Sequence, residues 1–256
     1  MGEAIVGGLI ASGTLSSGEI VVVEPVEERR AALASTHGIA AVAEAGQALS
    51  CATTVLLAVK PQVIDEVADA LAPLLPPGAL VVSIAVGVSC ARLESRLPAG
   101  TAVVRVMPNT PALVGAAMSV VSGGSEASDE QVETVRELFS TIGTAIVLPE
   151  HQQNAAAAIS GSGPAYVAVF VDALARAGVR QGLPRDVAER LAVRTLAGTA
   201  ELLEVTSQHP EQLVDGVASP GGTTIAAIEA LEAGGFRASV ASAVAAAMAR
   251  ARELEG

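Results

Sequence analysis

The sequence predicts an α/β domain built on a doubly wound parallel sheet, followed by an all-α domain. Short runs of Val, Ile and Leu alternate with amphipathic segments as far as residue 148. The runs are almost continuously apolar, which is typical of parallel strands covered by helices on both faces. Beyond residue 148 the strand pattern stops, and Pro or Gly separates apolar helical segments. We therefore expect one domain at 1–149 and a helical domain at 150–256.

Segments with the composition of strands alternate with segments of helical spacing in the first domain. The strands are predicted at residues 20–24, 54–59, 80–85, 102–107, 118–122 and 145–148. The helices are predicted at residues 3–11, 27–35, 61–74 and 130–141. In the second domain, Ala-rich helices such as 239–252 permit close packing, and a partner subunit is expected to cover them.

Composition and charge exclude several classes of function. Hydrophobic residues make up 51% of the chain, but its longest uncharged runs, 106–125 and 151–171, are interrupted by polar residues, Pro or Gly. We therefore predict no membrane span. The formal net charge of −12 disfavours nucleic acid and anionic membranes as partners. With only Cys51 and Cys90 and no secretory leader pattern, a cytoplasmic setting is expected.

The segment Ser219-Pro220-Gly221-Gly222-Thr223-Thr224 directly precedes an apolar helical repeat. Glycine allows a ligand to approach the backbone closely, and threonine is a good N-cap. The first N–H groups of a helix have no internal partners and together attract an anion. The segment predicts a site for a small carboxylate, the alternative being a plain capped turn between two helices.

The start of the chain has the form of an incomplete dinucleotide fingerprint. Met1-Gly2 opens a predicted helix, and Glu24 follows 22 residues after Gly2, where a carboxylate usually binds ribose hydroxyls. The strand and the earlier glycines that belong before Gly2 are missing, so the alternative is a helix that merely begins with glycine. We expect a start site assigned too far downstream or a shortened sequence, because that strand is central in such sheets.

Further candidates lie where the predicted strands end, since ligands bind beyond the carboxyl ends of strands in such sheets. These residues are Ala58, Val59, Lys60, Pro61, Ile84, Val86 and Asn109. Lys60 is the only lysine in the chain, and the alternative is that it survives by chance on a solvated loop. In the helical part, residues 160–166 interrupt a helical pattern with Gly, Ser and Pro, which predicts a packed break rather than a linker. The three histidines, His37, His151 and His209, are expected to be solvated.

Taken together, these segments resemble the pyrroline-5-carboxylate reductase family. The matching segments are 57–62, 107–111, 160–166 and 219–232; they occur in the family's order, and the resemblance covers essentially the whole chain. It implies a Rossmann-like domain that binds NADP(H) and a helical dimerisation domain that forms a homodimer or a higher homo-oligomer. It also implies hydride transfer to the cyclic imine 1-pyrroline-5-carboxylate, giving L-proline in the last step of proline biosynthesis.

The resemblance also implies roles for individual residues. Thr224 is the candidate that bonds the ring nitrogen. The other implied substrate residues are Ser219, Gly221, Gly222, Thr223 and Glu150. The implied cofactor residues include 58–61, Ile84 and Val86, whereas Met1, Gly2, Glu24 and Asn109 come from the pattern alone. Glu24 favours NAD(H), because a carboxylate repels a 2′-phosphate, while Arg29 or Arg30 offers that phosphate a partner. No metal is expected.

Two alternatives remain open from the sequence. A hydroxy-acid dehydrogenase with a Rossmann domain and a helical domain would need a catalytic lysine in the helical part, which contains none. A non-catalytic dimerising or metabolite-sensing relative would explain the missing first strand, but not the intact 219–224 segment.

Overall fold

Two sheets form the first part of the chain in a computed structural model that describes residues 1–255. The smaller sheet pairs β1 (Val21–Val23) with β2 (Ala40–Val42) in parallel. The larger sheet follows the chain order, from β3 (Thr54–Leu57) through β4 (Leu80–Ser83), β5 (Ala102–Met107) and β6 (Ala117–Gly123) to β7 (Gly143–Val147). Its neighbouring strands are parallel except for β5 and β6, which are antiparallel.

The helices are numbered in chain order. In the first part they are α1 Gly2–Ala11, α2 Glu27–His37, α3 Gly46–Leu49, α4 Ile64–Leu71, α5 Cys90–Glu94 and α6 Asp129–Ser140. After the last strand they are α7 Gln153–Ala156, α8 Gly163–Arg180, α9 Arg185–Thr206, α10 Pro210–Val217, α11 Thr223–Ala233 and α12 Phe236–Glu255. A π-helical turn, Ala157–Gly161, joins α7 to α8.

Helices cover both faces of the larger sheet, which confirms the predicted fold class. Side chains alternate along a strand, so Leu80 and Val82 face one layer while Val81 faces the other. The first layer holds residues of α1 and α6, such as Ile5 and Phe139, and the second holds residues of α4 and α5. This arrangement leaves the carboxyl ends of β3, β4 and β5 together at one edge.

The structure corrects the sequence predictions in three places. The sequence showed no strand at β2, whose three residues are two alanines and a valine, too short a run to recognise. It also missed α5, a five-residue helix capped by Ser89, whose hydroxyl accepts from the Arg92 N–H at 3.2 Å. The expected all-parallel sheet is mixed, because only the five-residue 3₁₀ segment Thr110–Val114 and a short turn connect β5 to β6.

The chain divides into two compact units. One holds Met1–Ser162 and the end of α12 from Met248, and the other holds Gly163–Ala247. In the second unit, α8 and α9 pack closely around Ala175, Ala188 and Ala192, because these side chains are small.

Many large apolar side chains of the second unit remain exposed, among them Val169 at 71% and Val205 at 78%. This surface suits a partner subunit, as expected from the Ala-rich helices. One helical stretch, Glu150–Arg180, is long and apolar enough to cross a membrane by length and composition, which is weak support for a span.

Candidate active site

The N-terminus of α1 lies against the loop that follows β3. Met1 is the N-cap, and no side chain caps the helix. A Cβ atom at Gly2 would lie 3.0 Å from the Cβ of Ala58, so a larger residue would crowd this approach. The structure therefore brings together Gly2 and Ala58, two residues that the sequence proposed separately. The open N–H groups of α1 are suited to an anion such as a phosphate.

The next residues of this loop expose a cation. Ala58 and Lys60 are exposed, and Lys60 precedes the 3₁₀ turn Pro61–Val63. The Lys60 ammonium has no ion-pair partner among the residues that the structure describes. On the neighbouring strand, the Ile84 N–H donates to the Leu57 carbonyl at 3.2 Å, and the Val86 side chain is 55% exposed. The edge thus combines one positive charge with apolar surface.

The carboxylate of Glu24 stands at the end of β1, as the sequence predicted, and it already has partners. One oxygen accepts from the Val26 N–H at 3.0 Å, and the other lies 3.6 Å from Nε of Arg29. Arg30 donates from Nη1 to the Glu24 carbonyl at 2.8 Å. Arg30 is therefore engaged with the backbone, whereas Arg29 keeps a 68% exposed side chain.

The side chain of Asn109 is held between two backbone groups beyond the end of β5. Nδ2 donates to the Ser160 carbonyl at 3.0 Å, and Oδ1 accepts from the Met118 N–H at 2.9 Å. Asn109 is 8% exposed. The predicted break at 160–166 begins within the π-helical turn Ala157–Gly161, so this break is fastened to the strand edge.

A polar cluster that the sequence did not predict lies under the start of the helical segment. Arg105 of β5 is 2% exposed, and its Nη1 lies 3.4 Å from Oε1 of Glu150. The same oxygen accepts from the Cys90 N–H at 2.7 Å. The signal in the sequence was an arginine inside the apolar strand 102–107, because a buried charge requires a partner. Glu150 therefore connects β5, α5 and the segment that leads into α7.

Burial and the nearby Glu150 carboxylate raise the pKa of the Cys90 thiol to about 12. At neutral pH this thiol stays protonated, and its thiolate is on the order of a thousandfold rarer than for an ordinary thiol. We therefore expect a maleimide to label the exposed Cys51 rapidly and Cys90 only after unfolding. Thiol counting before and after denaturation checks this, with C51S as the control that removes the fast label. Two fast labels on the folded protein would contradict the burial of Cys90.

The predicted carboxylate segment forms a tight turn in the second unit. The Gly222 N–H donates to the Ser219 carbonyl at 2.9 Å, and Gly221 has φ of +67°. Pro followed by Gly with positive φ is the type II pattern. Gly222, rather than a threonine, is the N-cap of α11, and no side chain caps this helix. The Thr224 hydroxyl has no hydrogen-bond partner among the described residues.

The expectation of solvated histidines is wrong for His37. Its side chain is 15% exposed, and Nε2 lies 3.6 Å from Oε1 of Glu3. The sequence placed His37 at a helix end, and the packing of α1 on α2 leaves its side chain only partly exposed. His151 and His209 are exposed, as expected.

Comparisons with known proteins agree with this architecture. The family model described as pyrroline-5-carboxylate reductase dimerisation matches residues 150–254. The model described as coenzyme F420-dependent NADP oxidoreductase matches residues 1–87. A pyrroline-5-carboxylate reductase of Synechocystis sp. is 44% identical over 257 residues, 99% of this chain and 94% of that protein.

Solved structures give the same result. A pyrroline-5-carboxylate reductase from Coxiella burnetii matches with a TM-score of 0.95 at 35% identity, covering 100% of this chain and 95% of the other. The Plasmodium falciparum enzyme, solved with NADP bound, matches with a TM-score of 0.88 at 28% identity and the same coverage.

The doubly wound sheet, its ligand edge and the helical part define an oxidoreductase of the nicotinamide-dependent class. Within that class, the chain belongs to the pyrroline-5-carboxylate reductase family.

Proposed function

We propose that this protein reduces 1-pyrroline-5-carboxylate to L-proline with NADPH. The observation that carries the proposal is the turn Ser219–Gly222, which leaves the first N–H groups of α11 without a capping side chain. Its support outside the structure is the family, whose members match over nearly the whole chain. The reaction transfers a hydride to the imine carbon and leaves one proton on the ring nitrogen.

The residues of the sheet edge fit a dinucleotide. We propose that the N–H groups at Met1 and Gly2 receive the pyrophosphate, since Gly2 keeps the helix end open beside Ala58. Lys60 supplies a positive charge next to it. Arg29, whose side chain is 68% exposed beside Glu24, is the proposed cation for a 2′-phosphate. Glu24 lies beside the ribose. The remaining proposed contacts are Val59, Pro61, Ile84 and Val86. Asn109, expected at the cofactor from the sequence, has both side-chain polar groups engaged with backbone groups instead.

When bound, the dinucleotide supplies the hydride, and the protein supplies position and charge. We propose that the N–H groups of Thr223 and Thr224 hold the substrate carboxylate at the end of α11. The Thr224 hydroxyl accepts a hydrogen bond from the protonated ring nitrogen, which keeps the imine in its reactive, cationic form. Ser219, Gly221 and Gly222 shape the turn so that the backbone approaches the ring closely.

Glu150 has a supporting place in this proposal. Its carboxylate lies between the Arg105 guanidinium and the Cys90 N–H, and its side chain remains 28% exposed. This partly exposed position makes Glu150 a proposed polar contact for the substrate.

The exposed apolar surface of the helical unit supports a homodimer or a larger homo-oligomer. The net charge of −12 supports a protein without nucleic acid or membrane partners. The free cysteines Cys51 and Cys90 support a reducing, cytoplasmic setting.

The purified protein is expected to oxidise NADPH only when 1-pyrroline-5-carboxylate or a close cyclic imine acid is present. Absorbance of the reduced nicotinamide follows the reaction, and chromatography identifies proline as the product. NADH serves as the parallel donor, and prephenate and a 2-keto acid serve as control substrates. A folded protein that binds NADPH but leaves the imine unreduced would overturn the proposal.

A further inference from the structure

One side chain fastens the π-helical turn Ala157–Gly161 to the sheet. Nδ2 of Asn109 donates to the Ser160 carbonyl at 3.0 Å, while Oδ1 accepts from the Met118 N–H at 2.9 Å. These partners fix the orientation of the amide, because a carbonyl requires the NH₂ group and an N–H requires the oxygen. Each polar atom of Asn109 is therefore already committed to the backbone.

The fastened turn is unusual in its own geometry. The Ser162 N–H donates to the Ala157 carbonyl at 2.9 Å, a bond that spans five residues instead of four. The Ser160 hydroxyl donates to the Ala156 carbonyl at 3.0 Å. Single π turns inside α-helices are rare, and they frequently occur at functional sites. The wider turn places the Ser160 carbonyl where the Asn109 amide reaches it.

The place of this bond in the fold connects the turn to the cofactor edge. Asn109 follows β5, whose neighbour β4 leads into Ile84 and Val86 at the same edge. The Ser160 carbonyl therefore lies at the edge where the dinucleotide is proposed to bind.

We propose that Asn109 is a positioning residue for imine reduction. Its bond to Ser160 holds the Ala157–Gly161 turn as one wall of the reaction pocket, beside the carboxyl ends of β4 and β5. The inference rests on the proposed function. It assigns Asn109 a role through the turn, rather than direct contact with the nucleotide.

Asn109→Ala is expected to lower kcat/KM for the imine on the order of 10- to 100-fold, because small displacements of a reaction pocket are costly. NADPH affinity, measured by fluorescence titration, should stay within about twofold of the original value. The primary isotope effect with 4-deuterated NADPH should rise, since hydride transfer becomes slower relative to the other steps. Amide hydrogen exchange at residues 157–163 should accelerate.

Ser128→Ala is the control for a general loss of stability. It removes the hydroxyl that caps α6 by accepting from the Gln131 N–H at 3.2 Å. This change should lower the melting temperature without altering kcat/KM, the isotope effect or exchange at 157–163. Asn109→Asp separates the two bonds, because it keeps an acceptor for Met118 and removes the donor to Ser160. It should lose as much kcat/KM as the alanine variant.

Three results would overturn the inference. The first is that Asn109→Ala affects only the melting temperature, as Ser128→Ala does. The second is that Asn109→Asp keeps the original kcat/KM. The third is that Asn109→Ala weakens NADPH binding while kcat stays unchanged. The last result would make Asn109 a nucleotide ligand. If the unaltered protein binds NADPH but does not reduce the imine, the proposed function fails. The hydrogen-exchange measurement alone then tests whether Asn109 holds the Ala157–Gly161 turn in place.

Discussion

Gly222→Val is expected to lower kcat/KM for the imine by at least about 100-fold while the protein still folds and binds NADPH. The backbone of Gly222, with φ of −81° and ψ of 173°, is accessible to valine. The cost instead comes from crowding, because a Cβ would lie within contact distance of the Ser219 hydroxyl and 3.0 Å from the Ser219 carbonyl. The turn must open, which displaces the N–H groups of Thr223 and Thr224 that are proposed to hold the carboxylate.

The matched control is Gly18→Val. Gly18 is exposed in a 3₁₀ turn of the first unit, and a Cβ there meets no atom within 4 Å. Imine kinetics, NADPH titration and melting temperature are measured on both variants. If Gly222→Val retains normal kinetics, the turn has no part in substrate binding. If it loses NADPH affinity as strongly as imine turnover, the damage is not confined to the substrate.

Thr224→Ala is expected to lower kcat/KM for the imine on the order of 10- to 100-fold. A hydrogen bond to a charged group contributes about 1.5–3 kcal/mol, and the Thr224 hydroxyl has no partner among the described residues. NADPH affinity should barely change, because the proposed nucleotide contacts lie on the first unit. Thr224→Ser, which keeps the hydroxyl, should restore most of the activity.

Thr134→Ala is the control for losing a threonine hydroxyl on a helix, since its hydroxyl donates only to the Glu130 carbonyl at 2.8 Å. It should leave the kinetics unchanged. The alternative of a plain capped turn predicts only a small stability change for Thr224→Ala, because Gly222 is the N-cap and no threonine caps α11. Normal kinetics for Thr224→Ala would contradict the proposed contact with the ring nitrogen.

The strands of the larger sheet could be predicted because they are apolar runs. Ala102–Met107 was predicted to the residue, and the four other strands to within a few residues. Two features of the sheets could not be predicted, because the local sequence gives little indication of them. Ala40–Val42 is a strand only because β1 pairs with it, and the antiparallel direction of β6 depends on how the chain turns after β5.

Some features of the candidate site could be predicted from local sequence, and others depend on contacts between distant residues. The turn Ser219–Gly222 was recognisable, because Pro-Gly-Gly before a helix has few backbone conformations available. The partners of Asn109 were not recognisable, since Ser160 lies 51 residues away and Met118 offers only its backbone N–H. The same holds for Arg105 and Glu150, whose pairing requires β5 and the segment before α7 to meet.

The sequence by itself determined the class of fold, the family and the segments that carry the proposed chemistry. All three depend on local patterns of apolar, glycine and hydroxyl residues. Only the tertiary structure decided which side chains are free to act. It committed the Asn109 amide to backbone groups, buried Arg105 and half-buried His37. It left Lys60 and the Thr224 hydroxyl without protein partners among the described residues. The physical reason is that hydrogen bonds and burial depend on neighbours that are distant in the chain, and a local sequence pattern does not predict which residues these are.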